Sequence, residues 1–274
     1  MRWLGLVAVM MAVVSAQAAG PVKRLYVFGD SYSDMGRGYV DTNGPTAVVF
    51  LAQKLGLEMV ASNAADVRGK SLNFAVSGAT TGAGKGSPVE GGMLGFGMKN
   101  QVAEFVGMVR TGAVKFDPKT TVFFLAGGLN DSRMQTKETV ANLETEMTAL
   151  YAMGARRFRV AVLPTAIPGF RAVAVRLNPA LAGIPAEMQG KLPGAEVETS
   201  RWGAFYDAVM MDAAKYGISD TTNACAGRVI HHEDPTPCAE PKARFYYHAG
   251  HPSMWVSEIV GGMLFEEMVG RGGE

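Results

Sequence analysis

The strongest constraint in the sequence is a repeated break, in which three short apolar runs each stop at a polar corner containing glycine. Residues 25–28 run into Gly29-Asp30-Ser31-Tyr32-Ser33-Asp34, residues 72–76 into Ser77-Gly78-Ala79-Thr80-Thr81, and Thr121–Ala126 into Gly127-Gly128-Leu129-Asn130-Asp131. Runs this apolar and rich in β-formers read as strands buried on both faces, the habit of a parallel sheet. Helical spacing fills the intervals. Val48, Val49, Leu51, Ala52 and Leu55 follow Pro45 and stop at Gly56; Val102, Phe105, Val106 and Val109 share one face; so do Val140, Leu143, Met147 and Leu150. Strand alternating with helix predicts an α/β fold whose sheet is covered on both faces. In such sheets ligands bind beyond the carboxyl ends of the strands. The corners holding Ser31, Gly78 and Asn130 are therefore expected to converge on one face.

The remaining elements follow the same logic. Pro45 is expected at the first position of its helix, where a missing N–H costs nothing. The Gly-rich stretch 82–97 reads as a long surface loop, and 157–163 as a fourth strand ended by Pro164. Residues 168–193, apolar but interrupted by prolines, read as irregular or partly helical and as packing over the active-site face. A helix over about 196–216, a short strand over 243–247 and a last helix ending near Val269 complete the chain. Pro252 is expected to open that helix, with His251 at its cap.

With 274 residues, 48% of them apolar, the chain can form one large domain. A net charge of +1 gives no electrostatic argument for nucleic acid. Arg2, an apolar run over 4–14 and Ser15-Ala16-Gln17-Ala18 form the pattern of a signal peptide, too short to span a bilayer. Cleavage after Ala18 or Ala19 would leave 20–274 as a single exported domain, periplasmic or secreted, with no integral membrane segment. Export gives Cys225 and Cys238 a compartment where disulfides persist. Closing that loop would contribute about 3 kcal/mol. The neighbouring His231 and His232 lack the spacing of familiar zinc sites, so a disulfide is expected rather than a metal.

At the polar corners the sequence resembles the GDSL, or SGNH, family of serine esterases and lipases. Gly29-Asp30-Ser31-Tyr32-Ser33-Asp34-Met35-Gly36 is similar to the family's first block, which carries the nucleophilic serine. Residues 73–80 are similar to the second, whose glycine lends a backbone N–H. Gly128-Leu129-Asn130-Asp131 is similar to the third, whose asparagine is a donor, and His251-Pro252 to the fifth, whose histidine is the base. The resemblance implies a three-layer α/β/α, flavodoxin-like fold with a mainly parallel sheet of about five strands. It also implies Ser31 and His251 as the catalytic pair, and an oxyanion hole made by Ser31, Gly78 and Asn130. No cofactor or metal is implied. The chemistry requires these types: a serine hydroxyl needs a base to take its proton, and the tetrahedral oxyanion needs fixed donors.

One position departs from the family pattern. The aspartate expected three residues before the histidine is replaced by His248. An imidazole cannot supply the charge that stabilises a protonated base, and in serine proteases neutralising that aspartate costs about 10⁴ in turnover. A backbone carbonyl or neutral His248 could orient His251, giving a Ser–His dyad. A carboxylate from elsewhere could do so, with Asp234 and Glu233 nearest in the cysteine loop. The third alternative is a protein weakened or inactive as an esterase. The expectation is an exported hydrolase of lipid, acetylated-sugar or aryl esters. The alternatives are an acyltransferase using the same site and a catalytically weak protein that binds esters or glycans.

Overall fold

In the computed structural model, residues 20–270 are described; the signal-peptide reading of residues 1–19 falls outside them. The central sheet contains β1 (Arg24–Gly29), β2 (Met59–Ala61), β3 (Ser71–Asn73), β6 (Thr121–Ala126), β7 (Arg157–Ala161) and β8 (Glu196–Ser200). Between β3 and β6 lies an antiparallel hairpin, β4 (Lys85–Val89) and β5 (Gly92–Phe96). A small second sheet holds β9 (Asp220–Ala224), β10 (Arg244–His248) and β11 (His251–Pro252). The helices are α1 (Ala47–Lys54), α2 (Met98–Arg110), α3 (Thr136–Ala152), α4 (Arg171–Lys191), α5 (Trp202–Met211) and α6 (Met254–Met268).

The central sheet has six strands rather than five, all parallel, in the order β2-β3-β1-β6-β7-β8. α1 and α5 pack on α6, while α3 packs on both α2 and α4. With β2 and β3 to one side of β1 and β6 to β8 on the other, β1 is where the strand order reverses. The crevice at such a switch point is where open α/β sheets bind ligands. Its core is aromatic: Phe28 stacks on Phe74 with centroids 5.0 Å apart, and Tyr26, Phe105, Phe116 and Phe123 interlock edge to face.

Several local expectations are corrected. The stretch 82–97 is ordered largely as the β4–β5 hairpin, tied back through the Gly95 N–H to the Ser77 carbonyl (2.8 Å). Pro45 lies before the N-cap, Thr46, rather than inside α1. Residues 171–191 form one continuous helix despite Pro179 and Pro185. Pro179 is exposed and stands a turn from Val175, itself 60% exposed, so water can reach the carbonyl the proline leaves without a helical partner. The buried stripe Val173, Leu177, Leu181, Ile184 and Met188 holds the helix against the domain.

The helix expected over 196–216 divides into β8 and α5. As an edge strand β8 places Glu196 and Glu198 against Arg159, at 3.3 and 2.7 Å. His251 and Pro252 lie in β11, so neither opens α6, which is preceded by Ser253. Cys225 and Cys238 are joined as a disulfide. Among the described residues no helix is long and apolar enough to cross a membrane.

Candidate active site

Three adjacent strands, β3, β1 and β6, deliver the three polar corners to one edge of the sheet. At the end of β1, Gly29 runs so close to β6 that a Cβ on it would meet the Ala126 carbonyl oxygen at 2.5 Å. Only glycine fits there. The fully buried Gln101 of α2 reaches across to this residue. Its Oε1 accepts the Gly29 N–H (2.9 Å), and its Nε2 donates to the Gly29 and Phe96 carbonyls (2.8 and 2.9 Å). Serine 31 is thus launched from a strand end whose backbone is held by an amide from another element.

Two buried carboxylates shape the corner. Asp34 accepts from the Gly36 and Gly38 N–H groups through Oδ1 and from the Ser77 N–H through Oδ2 at 2.8 Å. It therefore fastens the loop carrying Ser31 to the loop carrying Gly78. Burial pushes its carboxyl up to about 6, against the opposing effect of those three donors. Asp30 accepts the Tyr32 N–H at 3.2 Å, and burial pushes it up to about 8.

Gly78 takes φ +75°, a left-handed conformation that favours glycine. Among the described residues, neither the Ser31 N–H nor the Gly78 N–H donates to a protein acceptor. The backbone donors of these two corners are thus uncommitted. Asn130 follows β6 and donates one amide hydrogen to the Ala79 carbonyl (2.9 Å), leaving its second N–H. Next to it, Asp131 is held by the Thr81 N–H and by the Thr81 and Thr139 hydroxyls, which anchors the third corner to the second.

His251 arrives from β11 with Nε2 2.9 Å from Ser31 Oγ and Nδ1 3.0 Å from the Ala249 carbonyl oxygen. A carbonyl oxygen only accepts, so Nδ1 carries the proton. The Nε2 lone pair then faces the serine O–H, which is the tautomer a general base needs. Tyr32, whose hydroxyl donates to the Gly250 carbonyl at 2.6 Å, ties the Ser31 loop to the His251 loop. Burial, partly opposed by Asp41 and the Ala249 carbonyl, holds the His251 pKa below its ordinary value.

The candidate orienters fall differently. His248 does not bond to His251; its Nδ1 lies 3.8 Å from Asp41 Oδ1. Glu233 accepts the Arg228 N–H and Asp234 the Thr236 N–H, so both serve the cysteine loop's own backbone. That loop brings a cation rather than a carboxylate: Arg228 Nη2 is 2.8 Å from Asp41 Oδ1. Sequence reasoning missed Asp41, Arg228 and Gln101. Asp41 is 1% exposed, and its Oδ2 lies 3.7 Å from His251 Nε2 while accepting the Ser77 hydroxyl at 2.5 Å. The one available hint was an aspartate ten residues after Ser31 in the same polar loop, without periodicity to assign its direction.

The family model for GDSL-like lipase/acylhydrolase matches residues 25–253. No curated protein matches the sequence. Among solved structures, a G-D-S-L family protein from Desulfitobacterium hafniense DCB-2 is 13% identical with a TM-score of 0.48, covering 90% of this chain and 99% of its own. A catalytic mutant of an acetylxylan esterase from Geobacillus stearothermophilus is 15% identical with a TM-score of 0.48, covering 93% and 97%. A member of the lipolytic G-D-S-L family from Veillonella parvula DSM 2008 is 13% identical with a TM-score of 0.42, covering 87% and 94%. The family match runs from β1, through all three polar corners, to Ser253, two residues after His251. The chain belongs to the GDSL-like lipase/acylhydrolase family and is a carboxylic ester hydrolase.

Proposed function

We propose that the protein is an exported serine esterase working through an acyl-enzyme, with Ser31 as nucleophile and His251 as the base that takes and returns the proton. The observation that carries this reading is the 2.9 Å contact of Ser31 Oγ with a His251 whose other nitrogen is committed to a carbonyl. Ser31 Oγ attacks the ester carbonyl as its proton passes to Nε2. The carbonyl π pair becomes the oxyanion, received by the Ser31 and Gly78 N–H groups and the Asn130 amide. Collapse expels the alcohol oxygen, which takes the proton from Nε2. Water then repeats the sequence to release the acid.

The protein groups are chemically sufficient for each step. Phe170, partly exposed and 6.3 Å from the His251 ring, offers an apolar contact for an aryl or acyl group. The Cys225–Cys238 disulfide supports export. The test is hydrolysis of p-nitrophenyl acetate and longer esters by wild type and Ser31→Ala, with fluorophosphonate labelling. Equal rates together with no label on the wild type would end this reading.

A further inference from the structure

An aspartate in a serine-hydrolase triad does two separable things. It fixes the tautomer of the histidine, and it stabilises the positive charge that appears when the serine proton arrives. Here the Ala249 carbonyl does the first, at 3.0 Å from Nδ1. A neutral carbonyl supplies only a dipole towards the second. The full negative charge close to this ring lies at its other edge, where Asp41 Oδ2 is 3.7 Å from Nε2.

We propose that Asp41 is the charge-bearing positioning residue of the Ser31–His251 pair, stabilising the protonated base from its Nε2 edge, with Arg228 setting how strongly it does so. This rests on the serine-esterase reading above. The geometry lets Asp41 act without stealing the proton. Its Oδ2 is engaged by the Ser77 hydroxyl and its Oδ1 by the Arg228 guanidinium, at 2.5 and 2.8 Å. Burial alone would push the Asp41 carboxyl up, but His248, His251, Ser77 and Arg228 outweigh it, and the group stays below the usual carboxylate range. The proton therefore remains on Nε2 for delivery to the leaving alcohol.

The groups facing this pair are few. Against His251 stand Asp41, Arg228 and His248, besides the Ala249 carbonyl and the Tyr32 ring. Against Asp41 stand His248, His251, Ser77 and Arg228, with Asp30, Asp34 and Tyr39 further round. Asp41 favours the protonated ring, whereas Arg228 and His248 disfavour it. Arg228 comes from the loop closed by Cys225 and Cys238, and its guanidinium also lies over the Tyr39 ring at 5.4 Å.

The decisive measurement is the pH dependence of kcat/KM for wild type, Asp41→Asn, Asp41→Glu and Arg228→Gln on a p-nitrophenyl ester. Asp41→Asn should move the acid limb down by about one pH unit or more, because an opposite charge this near raises the base's pKa. It should also lower the plateau by about 10- to 100-fold, within the 10⁴ lost when a triad aspartate is neutralised. Arg228→Gln should move the limb up, and Asp41→Glu should restore part of the plateau. Opposite shifts from the two ends of one ion pair are the signature, since mere loss of a structural contact would act in the same sense from either end. Unmoved limbs, or shifts of the same sign, would overturn the proposal. If Asp41→Asn does not fold, the sign of the Arg228→Gln shift still decides. Fluorophosphonate labelling of Ser31 in the wild type separates failure of this proposal from failure of the esterase reading.

Discussion

The Tyr32 hydroxyl donates to the Gly250 carbonyl at 2.6 Å, joining the residue after Ser31 to the residue before His251. Ser31 and His251 stand 220 residues apart, so their 2.9 Å contact needs such a tie between loops. Tyr32 is 2% exposed and boxed by Phe170, Trp202 and Tyr206, which leaves its ring little freedom without the hydroxyl. Tyr32→Phe should therefore fold, with a stability loss of about 1 kcal/mol. Its kcat should fall by about tenfold, because small misplacement of reacting groups is costly. Steady-state kinetics beside a melting curve checks this, and wild-type kcat would show that the His251 loop is held by packing alone.

Gln101 should matter more for stability than any other polar side chain of α2. Replacing it with the similarly sized Met strands the Gly29 N–H in the interior, while the Gly29 carbonyl keeps the Val76 N–H at 3.2 Å and the half-buried Phe96 stays paired with Lys85 in the hairpin. A stranded buried group costs about 1–3 kcal/mol, so Gln101→Met should lose about that much. Urea unfolding should show a lower midpoint at unchanged slope. A midpoint within error of the wild type would mean that the strand end relaxes to find other partners.

The strand-end corners are legible in the sequence because each joins a local signal to a chemical one. An apolar run ending at Gly-Asp-Ser or Gly-Leu-Asn-Asp announces a buried strand and a polar donor together. Asp41, Gln101 and Arg228 are illegible for the opposite reason. Their roles come from contacts across distant parts of the chain, and nothing nearby marks which way each side chain points. Two strands of the central sheet are hidden, since the strand read over 243–247 belongs to the small sheet: β2 is only three residues long, and in β8 Glu196-Val197-Glu198-Thr199 runs on towards the apolar α5, although its alternation is a strand signal. Helix α4 was hidden by prolines, although Leu177, Leu181, Ile184 and Met188 keep helical spacing across both. The hairpin was hidden because glycine content reads as loop, whereas Gly91, at φ +78°, makes with Glu90 the two-residue turn that pairs Val89 with Gly92.

Asp30 should make the protein less stable as pH rises through neutrality. Burial, its largest cause, pushes the folded-state pKa from 3.8 up to about 8. Folding then favours the protonated carboxyl. The contribution is fully present below about pH 4 and is lost as pH rises through the folded-state value. Asp34, raised to about 6, acts in the same direction over the lower part of that window. Asp30→Asn keeps an acceptor for the Tyr32 N–H but cannot ionise. Its unfolding free energy relative to wild type should rise between pH 5 and 8, by on the order of 3 kcal/mol. Denaturant titrations at the two pH values test the sign, and a pH-independent difference would show that Asp30 does not hold its proton.

Under the proposed mechanism, variants of Asn130 should separate the side-chain donor to the oxyanion from the backbone donors. Its Nδ2 already donates to the Ala79 carbonyl at 2.9 Å, which fixes the amide plane before substrate arrives. A donor held in place this way does not reorganise when the oxyanion forms, and such preorganised groups are worth most in the transition state. Asn130→Ala should lower kcat by about 10²–10³-fold while KM changes only a few-fold, the pattern of an interaction made in the transition state. Asn130→Asp should be slower still above the carboxyl's pKa, because it places negative charge where negative charge develops. Losing the bond to Ala79 costs stability in both variants, so their comparison isolates the electrostatic effect. If Asn130→Ala retained the wild-type kcat, the Ser31 and Gly78 N–H groups would be sufficient donors. The asparagine would then be a brace for the Gly78 loop, and Asn130→Asp would be no slower than Asn130→Ala.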